Sequence, residues 1–66
     1  MKITFKRDTD CDYFDRKLNE EYPKFFRRWD VVLAEAVEND GNKVNIALSS
    51  GDSIMGVPRN SVEVAK

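Results

Sequence analysis

The chain has 66 residues, 41% of them hydrophobic and 35% charged, with eleven basic against twelve acidic side chains and a formal net charge of −1. That length allows a single domain, 1–66, in the size range where apolar burial barely exceeds the entropy lost on ordering, and the near-neutral balance argues against a domain devoted to gripping phosphates. One cysteine and no histidine exclude an internal disulfide and a thiolate–imidazole zinc site, so a cytoplasmic protein with no metal and no cofactor is expected.

"MKITFK" sets Met1, Ile3 and Phe5 on one face and reads as a first strand. In the stretch that follows, Phe14, Leu18 and Tyr22 recur every four residues, with Cys11 three before Phe14, which predicts one apolar helical stripe. Thr9 or Asp10 can cap it, Asp10, Asp12 and Asp15 suit its positive end, and Asp12–Arg16 and Arg16–Glu20 are opposite charges four apart. Pro23 ends this helix and can begin a second short turn through "KFFRRW". Residues 9–28 are therefore expected as a helical insertion.

"DVVLAEAVEN" tolerates helix at Leu33 to Ala36, but its valines and the adjoining Asp40–Gly41 favour a strand running into a type I′ hairpin turn. "NKVNIALSS" alternates Val44, Ile46 and Leu48 with Lys43, Asn45 and Ala47, a strand with one buried side. After the turn "SSGD", the strand "SIMGV" is expected to stop at Pro58, which cannot donate to a ladder. "RNS" then fits one 3₁₀ turn and "VEVA" a closing strand.

"WDVVLAEA", the Asp40–Gly41 hairpin and "GVPRNSVEV" together resemble the SH3-like small barrels, including their Tudor and KOW-type relatives, over Val31 to Ala65. The resemblance implies a mainly β fold, a five-stranded barrel with the helix inserted between its first and second strands. A closed barrel also leaves no unprotected edge. The first long loop lacks the tyrosines of a proline-peptide groove, and Val31 to Lys66 holds no aromatic from which to build a methyl-lysine cage.

Six of the seven aromatics fall between Tyr13 and Trp29, and "PKFFRRW" interleaves three of them with three basic residues. Phe14, Leu18, one of Phe25 and Phe26, and Trp29 are the best available cover for a small barrel, and an exposed member of the group beside arginines would anchor a partner. A protein-binding surface is expected from Tyr22, Lys24, Phe25, Phe26, Arg27, Arg28 and Trp29, directed at an acidic or apolar protein surface. The alternative is a KOW-like nucleic-acid module using Lys6, Arg7, Lys24, Arg27 and Arg28. A third reading is a structural homo-oligomer, a homodimer completing a thin core. "DTDCD" does not fit a calcium loop, since Tyr13 stands where glycine is needed and Asn19 where glutamate is. Without histidine no serine has a base, and a non-catalytic accessory or regulatory factor, of the size that phages and other mobile elements encode, is the expectation.

Overall fold

Seven antiparallel strands account for most of the backbone in the computed structural model, which describes residues 1–65. They are β1 (Lys2–Phe5), β2 (Thr9–Asp15), β3 (Glu20–Phe26), β4 (Val31–Asp40), β5 (Lys43–Leu48), β6 (Ser53–Pro58) and β7 (Val62–Ala65), with one 3₁₀ turn at Arg59–Ser61. The strand order is β3-β2-β6-β5-β4-β1-β7. The sheet is open: β3 and β7 are its two edges and no ladder joins them.

This corrects the expected SH3-like five-stranded barrel in two respects. The described residues contain no α-helix, and the sheet does not close. Residues 9–28 hold a β-hairpin in place of the helical insertion, with Thr9 opposite Phe26 and Asp15 opposite Glu20. The period-two pattern wins over the four-residue spacing. Thr9 and Cys11 are buried and Tyr13 half-buried, whereas Asp10 and Asp12 between them are exposed. Leu18, the centre of the supposed stripe, is 62% exposed in the hairpin loop. Asp15 Oδ1 accepts from Leu18 N (3.2 Å), and Asn19 takes the left-handed conformation (φ +52°) that closes the loop. β2 then pairs with β6, extending the sheet by two strands where a barrel would have closed.

The β4–β5 hairpin forms with Asp40 opposite Lys43, so its central residues are Gly41 and Asn42. Only Gly41 has positive φ (+63°), the pattern of a type II′ turn instead of the expected I′. Gly56 sits in a bulge of β6, where φ is +70° and its N–H donates to Asn45 Oδ1 (3.2 Å). Pro58 ends β6 ahead of the 3₁₀ turn.

A second bulge, between Ala34 and Ala36, bends β4, the strand shared by two wings of the sheet. The β4-β1-β7 wing lies against the other, and Ile3, Phe5, Ile54 and Val57 are fully buried between them. Phe5 stacks on Phe26, contributed by β3 at the far edge.

Candidate binding surface

Two loops meet at one end of the sheet: residues 6–8, between β1 and β2, and residues 27–30, between β3 and β4. Backbone bonds fix both loops to the end of β1 and to the 3₁₀ turn. Phe5 N donates to Asp30 O (2.9 Å), Trp29 N to Phe5 O (2.7 Å) and Lys6 N to Ser61 O (2.7 Å). The two carboxylates of the pair of loops are already engaged with backbone. Asp8 Oδ1 accepts from Arg28 N and Asp30 Oδ2 from Arg27 N, both at 2.8 Å. Lys6, Arg7, Arg27 and Arg28 are all exposed around them, four cationic side chains against two acids.

Trp29 stands in the middle of this cluster. It is 62% exposed, although an indole of that size is ordinarily worth burying in so small a core. Its φ of +75° is a left-handed conformation that costs a non-glycine residue roughly 1–2 kcal/mol. The Arg28 guanidinium lies 4.7 Å from the centre of the indole ring, a cation–π contact. The sequence expectation that Trp29 helps to cover the core is therefore corrected: the loop turns it outward.

The remaining members of the expected site are dispersed. Phe26 is 7% exposed and belongs to the core, whereas its neighbour Phe25 is 51% exposed, because adjacent strand residues point to opposite faces. Tyr22 is half-buried and stacks on Tyr13 at 5.5 Å between ring centres. The Lys24 ammonium lies over the Tyr13 ring at 5.2 Å. Lys6 and Arg7 are brought beside Arg27 and Arg28, while Lys24 and Phe25 lie on β3, outside the loop pair.

Sequence reasoning passes over two exposed residues just beyond Trp29. Val31 pairs with Thr4 and Leu33 with Lys2, on the outer face of the β4-β1-β7 wing. They are 50% and 65% exposed. Their parity, opposite to that of buried Ala34, was the available signal.

An open cleft of about 530 Å³ lies between the β2–β3 and β5–β6 turns, lined by Asp15, Arg16, Lys17, Ser50 and Asp52. Its carboxylates hold turns: Asp15 takes Leu18 N, and Asp52 accepts from Tyr13 O–H (2.5 Å) and Arg16 N (3.0 Å). These two bonds hold the Asp52 carboxyl below its ordinary range. Partial burial and the Asp52 carboxylate push the Tyr13 phenol up to about 12. Among the described residues no three acidic or thiol side chains gather as a metal site would require, and no helix is long and apolar enough to cross a membrane.

Compared with protein-family models, with curated proteins and with solved structures, the chain matches none.

Proposed function

We propose that the protein is a small non-catalytic binding module acting by protein–protein contact, with Trp29 as the anchor and Arg27 and Arg28 making charge-assisted hydrogen bonds to an acidic partner. The observation that carries this reading is the backbone at Trp29. A bulky residue held at φ +75° and turned into solvent beside two arginines is strain retained at an exposed aromatic, the pattern of a recognition site. Val31 and Leu33 extend the apolar area immediately downstream.

The grouping of Lys6 and Arg7 with Arg27 and Arg28 favours a second reading, single-stranded nucleic acid stacked on Trp29 with its phosphates on the four cations. Against it, Lys24 is engaged over Tyr13, and exposed Asp10, Asp12 and Glu21 line β2 and β3 with acid.

One experiment separates the two. Labelled single- and double-stranded DNA and RNA are titrated at low salt, and extracts of the cells that make the protein are probed before and after nuclease treatment. Nuclease-resistant capture that is lost in Trp29→Ala is the expected result. Nucleic-acid binding with a steep log–log salt slope, and capture abolished by nuclease, would replace the protein reading with the nucleic-acid one.

A further inference from the structure

The outer face of the β2–β3 hairpin carries acidic and apolar side chains together. Strand alternation puts Asp10, Asp12 and Phe14 of β2 on the face opposite to buried Thr9 and Cys11. The register sets Phe25, Pro23 and Glu21 of β3 against them in turn. β6 continues two of these rows, with Met55 beside Asp12 and Ser53 beside Phe14. Three of these side chains are carboxylates and none is a cation. Lys24, the only cation of the two strands, lies on the other face, over Tyr13. Phe25, paired with Asp10, is 51% exposed.

The cationic loop pair begins where this face ends. Arg27 follows Phe25 in the chain by two residues, and the bond from Arg28 N to Asp8 Oδ1 joins the loops just beyond the Thr9–Phe26 row. The acids of the loop pair, Asp8 and Asp30, are each held by a backbone N–H, and the four cations leave that end net positive. One continuous surface therefore has a cationic half around Trp29 and an acidic half around Phe25. The halves match in charge and each holds an exposed aromatic, but neighbours on one sheet cannot close onto each other. A second copy turned about a two-fold axis can. With a net charge of −1, no long-range repulsion opposes its approach.

We propose that the acidic partner of Trp29 is a second copy of this chain; the proposal rests on the protein-binding reading and names its partner. A two-fold axis beside Phe25 sets Arg27 and Arg28 of each copy on Asp10 and Asp12 of the other. It brings the two Phe25 rings together at the centre and lays each indole against the other copy's hairpin. Because the same patch serves both copies, the contact closes at two and does not propagate.

Sedimentation equilibrium of the native chain, over a range of concentration and salt, is the first measurement. A monomer–dimer equilibrium that weakens as salt rises is expected. Trp29 is the sole tryptophan, so its emission moves to shorter wavelength as the dimer forms and returns on dilution. Phe25→Ala and Trp29→Ala each lower the dimer affinity roughly tenfold. The sharper test exchanges charge between copies. Arg27→Glu with Arg28→Glu, and separately Asp10→Lys with Asp12→Lys, each set like charge against like and leave monomers. An equimolar mixture of the two variants restores the dimer, because both contacts are again of opposite sign. All four side chains are exposed and the loops are bonded through backbone N–H groups, so the fold tolerates the changes, which circular dichroism checks. A native chain that stays monomeric at millimolar concentration, while Trp29-dependent capture of another protein persists, overturns the second copy and leaves the protein-binding reading standing. Folded variants whose mixture stays monomeric, a dimer unmoved by salt and by both reversals, or an open series of higher masses overturns this interface. A dimer that obeys the charge exchange but ignores Trp29→Ala keeps the interface and removes the anchor.

Discussion

Phe5 and Phe26 lie 4.5 Å apart between ring centres with their planes 1° from parallel, although β3 is one edge of the sheet and β1 stands next to the other. This contact ties the β2–β3 hairpin to the β4-β1-β7 wing across the core, with no backbone ladder between β1 and β3.

Phe26→Ala is expected to cost about 3–5 kcal/mol, since it leaves a ring-sized hole opposite a fully buried phenylalanine. For a domain this small that is most of the total stability, so the variant is largely unfolded at room temperature. Phe25→Ala, one residue away and facing solvent, stays within about 0.5 kcal/mol of the parent. Urea unfolding of the pair measures both. Equal losses would show that the rings do not divide between core and surface in this way.

Trp29 offers a sharper comparison. Trp29→Ala and Trp29→Gly both remove the indole, and both are expected to lose partner capture. Only glycine also relieves the left-handed backbone at φ +75°. Trp29→Gly is therefore expected to be more stable than Trp29→Ala by about 1 kcal/mol. Thermal unfolding gives the order, and an alanine variant as stable as the glycine variant would mean that the loop holds no strain there.

How much of this was legible in the sequence varies by segment. Where apolar alternation was uninterrupted, as in Val44, Ile46 and Leu48, the strand and its buried face could be read directly. Pro58 and the 3₁₀ turn followed from the missing donor. The β2–β3 hairpin was obscured because its turn, residues 16–19, has neither glycine nor proline, and because Asp12, Arg16 and Glu20 happen to stand at helical charge spacing. The alternation in "TDCDY" carried the correct answer. Openness depends on β2 pairing with β6, forty residues away, and no local pattern encodes that choice. Arg27, Arg28 and Trp29 could be singled out as a run, but their meeting with Lys6 and Arg7 required the tertiary fold.

Tyr13 and Asp52 make a titration prediction. Asp52→Asn removes both the carboxylate that accepts the phenol's hydrogen bond and the negative charge opposing a phenolate. The Tyr13 pKa is expected to fall from about 12 toward its ordinary value of 10.0, read by ultraviolet absorbance titration. In the parent, the lowered Asp52 value means that its contribution is present above the ordinary carboxyl range and is lost as pH falls through the folded value. Asp52→Asn should accordingly flatten the acid limb of the stability profile, and a parallel limb in both proteins would show that the bond does not matter to folding.

Cys11, Tyr13 and Tyr22 all have raised values and contribute to the alkaline limb. Cys11 donates to Lys24 O (3.5 Å) and is pushed up to about 11, first by burial and then by Asp12 and Asp10, with Lys24 acting in the opposite sense. A raised folded-state value stabilises the protein below the unfolded pKa and is lost as pH rises through the folded one. Cys11 therefore withdraws stability between about pH 9 and 11, and Tyr13 between about pH 10 and 12. Cys11→Ala and Tyr13→Phe should each flatten this limb, measured by urea midpoints against pH. The same displacement leaves roughly a hundredfold less thiolate at neutral pH than an ordinary cysteine. Alkylation of Cys11 should then be slow in the folded protein and accelerate in urea along the unfolding curve. Fast alkylation without urea would mean that the β2–β3 hairpin opens independently of the rest of the sheet.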